Sequence, residues 1–85
     1  MHKVAILIFD DVEVLDFAGP FEVFGVARDE AGQPFFEVFT VSEQGTLVRA
    51  RNGLMVKPHY HFGNCPSPDL LIVPGGRFYE QSMLA

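Results

Sequence analysis

Six apolar residues in a row, Val4-Ala5-Ile6-Leu7-Ile8-Phe9, constrain this chain more than any other stretch. A strand with one wet face alternates apolar and polar side chains. An unbroken run suits a strand covered on both faces, as in a parallel sheet flanked by helices. Lys3–Phe9 therefore reads as a buried parallel strand, with Asp10-Asp11 turning the chain at its carboxyl end. Asp69-Leu70-Leu71-Ile72-Val73 repeats the pattern and runs into Pro74-Gly75-Gly76.

The stretches between supply the other layers. Gly19-Pro20 is expected to open a helix, with Pro near its first position, where a missing N–H costs nothing. Phe17, Phe21, Phe24 and Ala27/Arg28 follow helical spacing, Val23 widening the apolar stripe, so the helix is expected to run to Arg28 or Ala31. Ala31-Gly32-Gln33-Pro34 reads as its end, with Gly as the C-cap signal. Phe36–Glu43 alternates and is rich in β-formers, which makes it a second strand. Leu47–Ala50 and Met55–Lys57 look like a hairpin about Arg51-Asn52-Gly53, an Asn-Gly turn signal. Pro58–Pro68 reads as irregular, and Arg77–Ala85 as the beginning of another helix.

The order β-α-β, hairpin, β-Gly-Gly-α is the opening of a doubly wound α/β sandwich. One complete helix leaves a sheet edge and face uncovered, and such edges invite pairing. The chain is therefore expected to be the first part of a longer protein, or to be completed by another chain, with residues 1–85 forming the amino-terminal part of a single domain.

Composition excludes several functions. With 48% hydrophobic residues and nine Phe, the chain has material for a core and is not disordered. Eleven acidic residues against six scattered basic ones leave a net charge of −5 and no electrostatic footprint for nucleic acid. No stretch approaches the ~18 apolar residues of a membrane span. The acidic residues from Asp10 onward argue against a signal peptide. A single cysteine rules out an internal disulfide and fits a reducing compartment, so a cytoplasmic location is expected.

Chemistry has two candidate places. Asp16 sits between Leu15 and Phe17 in the loop after the first strand, at the edge where open α/β sheets bind ligands. It is either a cap for nearby backbone N–H groups or an acid kept protonated by Leu15, Phe17 and Phe21 to serve a nucleophile or a water. Gly75-Gly76 is either a tight turn into a helix or a pair of bare amides able to hold a developing negative charge. Neither nucleotide-loop pattern occurs, so no cofactor is expected. Cys65 lacks the helix start or basic neighbour that activates a thiol. His59, His61 and Cys65 form too small a set for structural zinc. Glu22 reads as a helix acid favoured by the macrodipole.

Ile6-Leu7-Ile8-Phe9 followed by Leu15-Asp16-Phe17-Ala18-Gly19-Pro20-Phe21-Glu22-Val23-Phe24 resembles the ThiJ/PfpI superfamily, as do Asn52-Gly53-Leu54-Met55-Val56 and Pro68–Gly76. The first motif looks most like the branch holding isonitrile hydratases and the amino-terminal domains of AraC-type regulators. The resemblance implies a flavodoxin-like, class I glutamine-amidotransferase-like three-layer sandwich, incomplete here. It further implies a cysteine nucleophile on a strand-to-helix elbow later in the chain. Asp16 would be its hydrogen-bonded acid, and Gly75 and Gly76 the amide donors. Cys65 precedes the glycines, has no elbow and fits a structural role. Where the branch often continues Gly-Gly-x-Gly-Thr-Arg, this chain has Gly75-Gly76-Arg77-Phe78-Tyr79.

Three functions follow as expectations. The complete protein is a cysteine-dependent hydratase converting an isonitrile to an N-substituted formamide. Alternatively it is a ligand-sensing domain of a regulator, or this chain is a non-catalytic dimerising or complementing module. The implied partners are a small-molecule substrate or effector and a second copy or complementing chain.

Overall fold

The computed structural model describes residues 1–76, and the helix expected over Arg77–Ala85 lies outside the described residues. The chain runs β1 (His2–Leu7), α1 (Val14–Val26), β2 (Phe36–Ser42), β3 (Val48–Arg49), a short 3-10 turn (Arg51–Gly53), β4 (Met55–Val56), β5 (Tyr60–His61) and β6 (Leu70–Ile72). Four strands form one parallel sheet in the order β5-β2-β1-β6. β3 and β4 form the expected antiparallel hairpin, pairing Val48 with Val56 and Arg49 with Met55. Its turn places both Asn52 (φ 66°) and Gly53 (φ 88°) in the left-handed region that Asn-Gly accommodates.

The apolar run of β1 is buried on both faces, as read from the sequence. Ile6 and Ile8 point to one side, into a core with Val12, Phe17, Val48 and Ala50. Ala5 points to the other, against Phe39 and Val41, with Tyr60 and Cys65 alongside. Each fully buried aliphatic side chain is worth about 1.5–3 kcal/mol, so the centre of the fold lies on β1. Among the described residues α1 is the one α-helix, and it covers the Ile6 side. The Ala5 side carries an open groove of about 320 Å³ running from Phe62 and Cys65 to Leu71. Leu71, 53% exposed, borders it without cover.

Helix α1 departs from expectation at both ends. It begins at Val14, so Pro20 lies in its interior rather than at its first position. Pro20 brings no N–H to the Asp16 carbonyl one turn earlier, yet the helix continues because Phe17, Phe21 and Phe24 seat it on the sheet. Phe17 is buried, Phe21 packs against the Ile6 core, and Phe24 meets Phe36 edge-on at 4.9 Å. Val23 faces solvent at 66% exposure and does not widen that stripe. The helix ends at Val26, where Ala27 turns extended. The Arg28 guanidinium then donates to the Gly25 and Ala27 carbonyls. Gly32 is not the C-cap. It serves a separate turn in which the Asp29 carboxylate accepts from the Ala31 and Gln33 N–H groups.

The stretch read as irregular contains β5, which pairs Val41 with Tyr60 and Ser42 with His61. Thr40 N–H donates to His59 Nδ1 at 3.0 Å, and His59 N–H donates back to the Thr40 carbonyl at 3.1 Å. His59 also stacks on Phe21, tying this edge to α1. Among the described residues no helix is long and apolar enough to cross a membrane.

Candidate functional site

From β1 the chain moves to β2 on one side, and later to β6 on the other. The crevice at the carboxyl ends of β1 and β6 is therefore the switch point where open sheets take ligands. Three elements converge there: the turn after β1, the first turn of α1 and the Gly75-Gly76 pair after β6.

The turn after β1 is held from two sides. Asp11 sits at φ 68°. On one flank, the Asp11 N–H donates to the Arg49 carbonyl at 2.8 Å and the Arg51 N–H to the Val12 carbonyl at 2.9 Å. The Asp10 carboxylate accepts from the Arg49 N–H at 2.9 Å. On the other flank, Val12 and Gly76 form an antiparallel bridge. Glu13 N–H donates to the Gly75 carbonyl at 2.9 Å. The side chain of Arg51 completes the frame, donating to Glu13 Oε2 at 3.0 Å.

Asp16 is thus not a loop residue. It is the third residue of α1, placed where the positive end of the helix favours a carboxylate. Gly75 N–H donates to Asp16 Oδ2 at 3.2 Å, so the structure brings together two of the three residues singled out in the sequence. The apolar frame expected around Asp16 is not closed among the described residues: Leu15 is 74% exposed, Asp16 is exposed, and of Leu15, Phe17 and Phe21 only Phe17 is buried.

The glycines have packing reasons beyond turn formation. A Cβ on Gly75 would lie 3.0 Å from Asp16 Oδ2. A Cβ on Gly76, which has φ +150°, would lie 2.8 Å from the Asp11 carbonyl oxygen and 2.9 Å from Val12 Cα. The sequence left the pair open between a tight turn and a pair of amide donors. In the structure Gly75 N–H donates to Asp16 Oδ2, and Gly76 forms the bridge to Val12 that closes the turn after β1.

Cys65 lies away from this crevice, beside the core on the Ala5 side. Its thiol donates to the Pro66 carbonyl at 3.2 Å, and burial pushes the thiol up. Both features favour the protonated, unreactive form. His61 Nδ1 accepts from the Gly63 N–H at 3.0 Å, and His59 Nδ1 is engaged by Thr40. Among the described residues no three His, Cys, Asp or Glu side chains gather to hold a metal ion. Glu22 is exposed on α1.

Sequence reasoning missed Glu13 and Arg51. Glu13 stands three residues before Asp16, the spacing of a reciprocal helix-start motif, and that was the available signal. Nothing local marks Arg51, whose partner is 38 positions away.

In sequence and in overall fold the chain is similar to known proteins. The DJ-1/PfpI family model matches residues 2–84. An isonitrile hydratase from Pseudomonas putida is 34% identical over 74 residues, covering 87% of this chain and 30% of the hydratase. The HTH-type transcriptional regulator GbdR from Pseudomonas aeruginosa is 28% identical over 82 residues, covering 96% of this chain and 22% of the regulator. The crystal structure of a ThiJ/PfpI family protein from Pseudomonas syringae superposes with a TM-score of 0.73 at 28% identity, over 88% of this chain and 29% of that one. The parallel α/β architecture is the flavodoxin-like one of such neighbours. The chain spans about half, or less, of the length of the curated relatives it matches.

Proposed function

The chain belongs to the DJ-1/PfpI family, and from that premise we propose that it is the amino-terminal part of a single α/β domain whose complete protein is a cysteine-dependent small-molecule hydratase of the isonitrile hydratase kind. The observation that carries the reading is Asp16, fastened by Gly75 N–H at the β1/β6 crevice. Similarity to the Pseudomonas putida hydratase across 87% of the chain supports it.

In this reading the nucleophile lies outside these 85 residues, because Cys65 is the only cysteine here and faces away from the crevice. A thiolate adds to the terminal carbon of the isonitrile, and that carbon takes a proton supplied or relayed by Asp16. Water then adds to the resulting thioimidate, and expulsion of the thiol leaves the N-substituted formamide. The sum is isonitrile plus water giving formamide, with no redox change. The 85-residue chain alone is expected to show no turnover.

The test is formamide production from an alkyl isonitrile by the full-length protein. Asp16→Asn should lower kcat/KM by roughly 10²–10⁴-fold, the range of a lost general acid. An undiminished rate overturns the reading.

A second reading is favoured by the similarity to GbdR over 96% of the chain: the same crevice senses an effector within a transcription regulator. The full-length protein would then shift a DNA fragment in an effector-dependent way, and Asp16→Asn would change effector affinity with no turnover to lose.

A further inference from the structure

Helix α1 starts without a side-chain cap. Glu13 occupies the N-cap position at φ −69° and ψ 120°, yet its carboxylate bonds none of the free N–H groups of the first turn. At this spacing an acid three residues on ordinarily reaches back to the N-cap amide. Here that bond is absent too, because the Glu13 N–H goes to the Gly75 carbonyl and Asp16 accepts from Gly75 N–H. Gly75 has been inserted into the helix start, its carbonyl on one member and its amide on the other.

Arg51 holds the two residues that lead into that start. Its backbone N–H holds the Val12 carbonyl, and its guanidinium holds the Glu13 carboxylate at 3.0 Å, so one hairpin residue grips both residues preceding α1. The two side chains are 41% and 37% exposed, and pairs so wet add little to stability. Their effect is directional. A Glu13 carboxylate released by Arg51 would be drawn to the positive end of the helix, where it competes for the amides around Asp16.

We propose that Arg51, through its ion pair with Glu13, is a positioning residue that sets the Asp16 carboxylate against Gly75 at the β1/β6 crevice. Its catalytic consequence rests on the reading of Asp16 as the acid of the site; its structural consequence does not. An amide proton donated to a carboxylate moves as the carboxylate titrates, so the Gly75 amide shift reports the Asp16 contact directly.

The experiment is a pH series of amide spectra on the full-length protein. Arg51→Ala should reduce the pH-dependent excursion of the Gly75 amide proton at least about twofold, the sign of a weakened charge-assisted bond. Arg51→Lys, which keeps a cationic donor, should restore most of it. In turnover, Arg51→Ala should lower kcat about tenfold with KM within about twofold, because losing Arg51 misplaces the acid while Arg51 itself does not touch substrate. An unchanged excursion in Arg51→Ala, or no restoration by Lys, overturns the proposal. Should Arg51→Ala not fold, Glu13→Gln is read by the same excursion. A reduced excursion combined with undiminished turnover in Asp16→Asn would keep the positioning role and remove the hydratase reading.

Discussion

The seam between β1 and β6 is closed at both ends by a carboxylate on a backbone amide, and the two ends differ in what surrounds them. At the amino end, Lys3 N–H donates to Asp69 Oδ2 at 2.7 Å and Asp69 N–H donates to the Lys3 carbonyl at 2.8 Å. At the carboxyl end, Gly75 N–H donates to Asp16 Oδ2 and Glu13 N–H donates to the Gly75 carbonyl. Asp69 has strand backbone and cations for neighbours. The Lys3 N–H, and then the charges of His2, Lys3 and the amino terminus, hold its carboxyl below the usual carboxylate range. Asp16 has a glycine for a partner and stands at the switch point of the strand order. The same bond is a fastener among cations and registered strands, and a candidate reagent where the partner is bare backbone at the switch point of the sheet.

The largest test of this contrast is Gly76→Ala. Its Cβ would press on the Asp11 carbonyl oxygen and Val12 Cα, both backbone atoms, at a φ of +150°. A loss of about 2–4 kcal/mol in chemical denaturation is expected. A loss below about 0.5 kcal/mol would show that the carboxyl end yields, and the contrast would fail.

The amino end is tested by acid. Asp69 has a native pKa below its unfolded value of about 3.9, so its contribution is complete above roughly pH 4 and disappears as pH falls through the native value. The melting temperature of the wild type should therefore fall more steeply from about pH 6 to pH 3 than that of Asp69→Asn. Parallel curves would show that this fastener is not electrostatic.

The smallest effect belongs to Asp16→Asn. Asn keeps an oxygen for Gly75 N–H, and the site is exposed, so thermal unfolding should register less than about 1 kcal/mol. A loss equal to that of Gly76→Ala would make Asp16 a second fastener and erase the distinction.

Much of this arrangement was legible in the residues. The unbroken run of β1 gave a strand buried on both faces, Asn52-Gly53 gave the hairpin, and Asp16 and Gly75 were placed at the same sheet edge. The start of α1 was not legible, because Gly19-Pro20 is a good helix opening in isolation. The tertiary seat of Phe17 draws the helix back to Val14 and outweighs the bond lost at Pro20. β5 was hidden because two residues have no periodicity and its anchorage is His59 on Thr40, nineteen positions apart. The Glu13–Arg51 pair was hidden for the same reason: long-range partners leave no trace in local spacing.

One consequence follows from having a fastener at each end of β6. Asp69 and Gly75 are six positions apart, about 20 Å of extended chain at 3.3 Å per residue. That stretch is a gauge cut to a fixed length. One residue more or fewer would satisfy one clasp and leave the other out of reach, whatever side chains were chosen. The turn from Asp29 to Gln33 touches neither clasp, so a change in its residue count leaves both clasps in reach. Substitutions can accumulate along β6, while insertions and deletions are pushed out to the loops.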